Sequence, residues 1–149
     1  MQREDPVVES GDAADLNAFL DERLHAFNVA ATGLSEAIPI HARVRDAAGA
    51  VLGAISGFTW GGCCEVALLW VHEEHRGQRI GTALLEAVEA EAARRGCVQV
   101  TLSTHSFQAP GFYSKLRYQQ VASIADYPLG HAKIHYVKRL DTPASGASR

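Results

Sequence analysis

The stretch Glu73–Ala87 reads EEHRGQRIGTALLEA, and its chemical interest lies in Arg76-Gly77-Gln78-Arg79-Ile80-Gly81-Thr82. Two arginines and two glycines stand where a charged loop turns into a helix, a place that Ser, Asp or Pro would cap better. Free N–H groups at a helix start, backed by the positive end of the helix dipole, attract anions. Gly77 and Gly81 let backbone approach a ligand, and Arg76 and Arg79 add charge. The stretch therefore reads as a phosphate cradle. Spacing excludes two common cradles. A P-loop needs G-x-x-x-x-G-K-[ST], but Gly77 and Gly81 are too close together and no Lys follows. The dinucleotide fingerprint G-x-G-x-x-G is absent too. A second polar group in an unusual setting is Glu65, the only acid in the apolar run Cys63–Val71. Burying it unpaired is costly, so it must face a pocket, a partner, the end of a sheet or solvent. His131 and His135 are four apart and, with His41, lack tight ligand spacing, so no metal site is expected.

The elements that position these groups follow from periodicity. Pro6–Glu9 is a short possible strand. Asp12–Phe27 has helical spacing in Leu16, Phe19, Leu20, Leu24 and Phe27, with Asp12 available as N-cap. Asn28–Pro39 reads as a loop or a second short helix. Ile40–Arg45, Val51–Trp60 and Cys63–Val71 read as strands, joined by a turn at Asp46–Gly49 and a Gly61-Gly62 hairpin. Cys63–Val71 is nearly all apolar, as expected of a central strand. Ile80–Arg95 carries one apolar stripe of Ile80, Ala83, Leu84, Ala87 and Val88, with Gly96 as its stop. Cys97–Ser103 is a strand, Ala109–Leu116 a short helix, and Tyr118–Ala125 and Lys133–Arg139 two final strands. The strand–helix–strand unit in the middle requires a right-handed crossover and a parallel pair. The expected class is α/β, a mixed sheet with helices on both faces.

With 149 residues, the chain suits one domain, expected over residues 1–140, followed by a disordered tail at 141–149. Hydrophobic content of 47% and charged content of 21% are ordinary for a soluble protein. A net charge of -3 with scattered Lys and Arg argues against nucleic acid and membrane surfaces as partners. No stretch is apolar enough to span a bilayer, and the polar start MQREDPVVES shows no signal peptide. Three cysteines, Cys63, Cys64 and Cys97, lie in apolar runs and read as reduced thiols, which fits a cytoplasmic setting.

Two motifs together point to a family. R-G-Q-R-I-G-T-A-L-L, after a strand ending LLWV, resembles motif A of the GNAT N-acetyltransferases, [QR]-x-x-G-x-[GA]. Arg76 matches its first position and Gly81 its last, while Arg79 occupies the usual glycine site. Q-A-P-G-F-Y-S-K-L-R-Y, Gln108–Tyr118, resembles the later A-x-x-[FL]-Y-x-K-x-G-[FY] stretch. Ala109, Phe112, Tyr113, Lys115 and Tyr118 match; Arg117 replaces a glycine and is expected in a left-handed conformation. The resemblance covers roughly Val51 to Leu140.

The resemblance implies a GNAT-like, mostly antiparallel sheet with a central splayed parallel pair, Cys63–Val71 and Cys97–Ser103. It implies acetyl-CoA as cofactor, its pantetheine bonded by the backbone of Leu69, Trp70 and Val71. The pyrophosphate would lie on Arg76, Gly77, Gln78, Arg79, Ile80, Gly81 and Thr82. Ser106 stands where the family commonly has an asparagine near coenzyme A. The resemblance puts Tyr113 as general acid to the departing thiolate, a role a phenol with a pKa of about 10 can fill at pH 7. The base is open: Glu65 comes first, with His72 and His105 as further candidates. Phe27, Asn28, His105 and Tyr127 are expected at the acceptor site. The acceptor is expected to be a primary amine of a small molecule, and the family resemblance suggests a homodimer. The alternative is a non-catalytic acyl-CoA-binding sensor or partner module of the same fold.

Overall fold

A computed structural model of the chain describes residues 6–11 and 15–141. The chain divides into two units, Met1–Glu36 and Ala37–Arg149. The first holds helix α1, Leu16–Thr32, with Asp15 at its N-cap position. Asp12, expected as the cap, lies outside the described residues, as does the tail from residue 142. The helix runs past Phe27 because Val29, Ala30 and Ala31 interrupt nothing, so Asn28 is helical rather than in a loop. It stops at Gly33, which takes the left-handed conformation (φ 70°) and donates its N–H to the Val29 carbonyl. Pro6–Glu9 forms no strand: Pro6 lacks an N–H, and no neighbouring strand pairs with the segment.

The second unit is built on a six-stranded sheet. Its strands are β1 (Ile38–Arg45), β2 (Val51–Trp60), β3 (Cys63–Val71), β4 (Gln99–His105), β5 (Gln119–Ala125) and β6 (Ala132–Arg139). Two helices accompany them, α2 (Ile80–Arg94) and α3 (Pro110–Lys115). The spatial order is β1-β2-β3-β4-β6-β5, and every neighbouring pair is antiparallel except β3–β4. The mixed, mostly antiparallel sheet with one central parallel pair is thus as expected. No described helix is long and apolar enough to cross a membrane.

The α2 crossover presents Leu84, Leu85, Val88 and Ala92 to the sheet, where they meet Ile40, Ile55, Cys64, Val66, Val100 and Leu102 in one buried cluster. Each such Leu or Val contributes about 1.5–3 kcal/mol through burial. Gly53 of β2 makes the close approach possible, since a Cβ there would stand 2.8 Å from Ile80 Cγ2. At its far end α2 closes with Gly96 (φ 84°), whose N–H bonds to Ala93, while the Cys97 N–H bonds to Ala92. That closure uses the Cys97 amide, so β4 starts at Gln99 rather than Cys97. All three cysteines are free, and burial pushes the Cys64 thiol up to about 11.

The feature that matters for function is a fork. The β3–β4 ladder covers only Cys63–Val66 against Gln99–Leu102. Beyond it both strands continue without pairing to each other. The cause is a bulge: Gly57 pairs with Val66 and Ser56 with Leu68, leaving Ala67 unpaired. Gly57 is required there, because a Cβ would run into the Glu65 carbonyl.

Candidate active site

Beside the fork, the chain leaves β3 through a 3-10 turn, Glu73–His75. His72 caps this turn, its Nδ1 accepting from the Glu74 N–H at 3.2 Å. In its neutral form His72 therefore carries its hydrogen on Nε2. Arg76 follows in extended conformation, and its Nε donates to the Val71 carbonyl at 3.4 Å, tying the loop to the strand end. Gln78 lies against His75, with Oε1 3.3 Å from Nδ1.

Gly77 has φ 79° and Arg79 φ 63°, so the residue at the usual glycine site does adopt the left-handed conformation. That costs about 1–2 kcal/mol for a residue with a Cβ. Arg79 is the N-cap of α2 but makes no side-chain cap bond. The N–H groups of Ile80, Gly81 and Thr82, which an α-helix cannot satisfy internally, consequently have no side-chain cap. With Arg76 and Arg79 in the loop that leads into it, this helix start combines positive charge with free N–H groups, the chemistry that suits an anion. Gly81 has a different reason from the one its motif suggests. Its φ is not positive, and a Cβ on it would lie 3.2 Å from Phe112 Cζ and 3.6 Å from Val71 Cγ2. The glycine is the contact point of α2, α3 and the end of β3.

Three tyrosines cluster next to that point. Tyr113 is tilted against Tyr136 with centroids 5.7 Å apart, and edge-on to Tyr118 at 6.0 Å. Tyr118 donates its hydroxyl to Glu89 at 2.9 Å, and Tyr136 donates to the Pro110 carbonyl at 3.2 Å. Only the Tyr113 hydroxyl has no hydrogen-bond partner among the described residues. It is not sealed, since no buried side-chain oxygen there lacks a partner. Burial, and then the neighbouring Tyr136, raise its pKa above the ordinary 10.0, so it stays protonated. It is a phenol ready to donate.

The other expected residues take distinct places. Glu65 is exposed, on the sheet face away from Cys64 and Val66, at the closed end of the fork opposite Thr101. His105 ends β4 on the same face, stacked with Phe107 (5.3 Å, 15°) and with Tyr127 (5.8 Å, 23°). His131 meets the edge of Phe107 at 4.9 Å, and Lys133 Nζ lies 4.8 Å over the Tyr127 ring. The structure thus brings His105 and Tyr127 together. Ser106 is occupied by the sheet: its hydroxyl accepts from the Ala132 N–H at 3.0 Å, and its own N–H donates to the Ala132 carbonyl. Phe27 and Asn28 belong to α1 in the other unit.

Residues 12–118 match the model of the acetyltransferase (GNAT) family. The chain belongs to that family. This acetyltransferase is 36% identical over 125 residues to blasticidin-S acetyltransferase of Streptomyces morookaense, covering 80% of this chain and 92% of the relative. An acetyltransferase of Agrobacterium fabrum is 31% identical over 130 residues, covering 86% of this chain and 95% of the relative. The crystal structure of an acetyltransferase from Bacillus cereus shares the fold with a TM-score of 0.82 at 26% identity, covering 91% of this chain and 98% of that one. The chain is an N-acetyltransferase by family.

Sequence reasoning gave no role to three residues that pack against His105 and Tyr127 in this acetyltransferase: Phe107, Gln108 and Lys133. The spacing of Gln108 three residues after His105 was the available signal for a turn that folds one side chain onto the other. A separate cavity of about 360 Å³ lies between the C-terminal half of α2 and β6, lined in part by Glu86, Glu89, Arg117 and Lys138. It contains none of the site residues. Its Glu89–Lys138 pair is satisfied internally at 2.8 Å and serves the packing of Tyr118.

Proposed function

We propose that this acetyltransferase moves the acetyl group of acetyl-CoA to a primary amine of a small molecule by direct attack, with Tyr113 as general acid. One observation carries the reading: a strand fork, an uncapped helix start beside it, and a phenol with an unengaged hydroxyl occur together. The donor supplies an activated thioester and a pyrophosphate. The residues fit both. The N–H groups of Ile80, Gly81 and Thr82, with backbone at Gly77 and Gln78 and the charges of Arg76 and Arg79, suit the pyrophosphate. The strand edge Leu69–Val71, which has no β4 partner, offers backbone groups to the pantetheine amides. A backbone N–H near Val71 polarises the thioester carbonyl. The amine nitrogen forms the new C–N bond as the C–S bond breaks, and Tyr113 gives its Oη proton to the departing sulfur.

A small-molecule acceptor is supported by the likeness to a blasticidin-S acetyltransferase. The fork's mouth also carries His105, His131 and Lys133 rather than the acidic wall a polycation would need. Because the family match crosses both units, residues 1–140 are proposed to act as one domain. Three free thiols agree with a cytoplasmic setting. The test is a panel of primary amines, blasticidin S and amino acid derivatives among them, mixed with acetyl-CoA. Free thiol matched by an equal amount of N-acetyl product is expected with at least one amine. Thiol release with no acetylated amine would overturn the reading.

A further inference from the structure

His105 sits at the fork in an environment built around its imidazole. Gln108 Oε1 lies 2.8 Å from the His105 backbone N, 3.1 Å from Thr104 Oγ1 and 3.2 Å from His105 Nδ1. A backbone N–H can only donate, so the amide atom facing it is the oxygen. An amide oxygen only accepts, so the His105 nitrogen pointing at it must carry the hydrogen. In neutral imidazole one nitrogen is a donor and the other an acceptor, so Nε2 is then bare. Gln108 is itself anchored, since its backbone N–H donates to the His105 carbonyl at 2.9 Å and the Thr104 hydroxyl is buried. Phe107 and Tyr127 both stack on the ring. His105 also ends β4 three residues past the last β3–β4 pair, Val66↔Leu102, on the strand that forms one arm of the fork.

We infer that Gln108 is a positioning residue that locks His105 in its Nδ1–H tautomer, so that His105 Nε2 takes the proton shed by the acceptor ammonium. This rests on the acetyl-transfer reading. The proton balance closes: the ammonium gives one proton to Nε2 before attack, Tyr113 gives one to the thiolate, and the nitrogen's second proton, lost as the amide forms, returns to Tyr113. His72 offers a contrast, because its Nδ1 is the accepting nitrogen, which in the neutral ring leaves the hydrogen on Nε2. The charged and titratable groups facing His105 are Lys133, its cross-strand partner, and Tyr127; His131 meets the edge of Phe107, and Glu65 and His135, the latter opposite Ser103, lie on the same sheet face.

The test has a readout that needs no acceptor. Long-range proton–nitrogen spectra of the labelled full chain should show His105 protonated at Nδ1 and bare at Nε2. Gln108→Leu should abolish that signature, while Gln108→Glu, which keeps an accepting oxygen, should retain it. Kinetics then test the role. His105→Gln should lower kcat/KM by about 10²-fold or more and remove the acid limb of its pH profile. Gln108→Leu should lower kcat at little change in KM, and Gln108→Glu should restore most of it. A wild type with His105 protonated at Nε2 overturns the lock whatever the activity. A His105→Gln enzyme that keeps both rate and acid limb overturns the proton transfer. A locked His105 in a folded chain that acetylates no amine would instead contradict the acetyl-transfer reading.

Discussion

Tyr113 is one of three tyrosines in contact, and hydrogen bonding alone tells them apart. Tyr118 and Tyr136 spend their hydroxyls on Glu89 and Pro110, so their roles are structural. Tyr113→Phe is expected to lower kcat by about 10²–10⁴-fold with little loss of acetyl-CoA affinity, measured by steady-state kinetics and titration. Loss of affinity matching the loss of rate would place Tyr113 in binding instead. The same scale explains two departures from the family pattern. Arg79 and Arg117 have φ 63° and 68°, where glycine is unstrained. Arg117→Gly is expected to raise stability by about 1 kcal/mol in urea unfolding, because strain relief outweighs the extra chain entropy. The positive φ at Arg117 was legible from the motif, since the residue stands in a glycine's place. The Gly81 contact with Phe112 was not, because a close approach between two helices leaves no periodic trace.

Among the elements, regular segments were read well and their ends were not. The apolar stripe of α2 reports directly on burial, and the runs of β2 and β3 are set off by the turn at Asp46–Gly49 and the Gly61-Gly62 hairpin. Helix α1 ran past Phe27 and β4 began late, because caps and closing bonds at Gly33 and Cys97 decide where elements end. The fork was expected only by resemblance; the bulge at Ala67 that creates it needs a glycine on the neighbouring strand. Gly57→Ala should therefore destabilise by about 3 kcal/mol, the upper end of the overpacking range, and weaken acetyl-CoA binding in any folded fraction. Arg95 is the other fastening. It donates to the Pro39 carbonyl at 3.0 Å and to the buried Thr59 hydroxyl at 3.1 Å, joining α2 to β1 and β2. Arg95→Ala is expected to cost about 1–3 kcal/mol in denaturant melts without changing the kinetics of acetyl transfer.

At the scale of the whole molecule, acid should act through Glu91. Hydrogen bonds from Arg94 and then Arg95 hold its carboxyl at about 2, below the ordinary 4.5. A depressed folded pKa means the folded state binds fewer protons in that window, so its stabilising contribution is full above about 4.5 and is lost as pH falls toward 2. Glu91→Gln should flatten the acid side of a stability-against-pH curve; an unchanged slope would show the pair to be idle. The sequence made the family visible because two motifs fall in order on the right elements. It left the acceptor unnamed, since the fork's mouth is assembled from β4, the turn after it and the β5–β6 loop, which no spacing connects. The start of α2 is proposed to hold the donor's pyrophosphate. Gly81→Glu is a poor probe, as it would also disturb Phe112. The direct measurement is calorimetric titration of acetyl-CoA into the wild type and into an Arg76→Glu, Arg79→Glu variant of matched fold. The prediction is one-to-one binding by the wild type, weakened at least about 10-fold, some 1.4 kcal/mol, in the variant. Equal affinities, or no binding by the folded wild type, would contradict it.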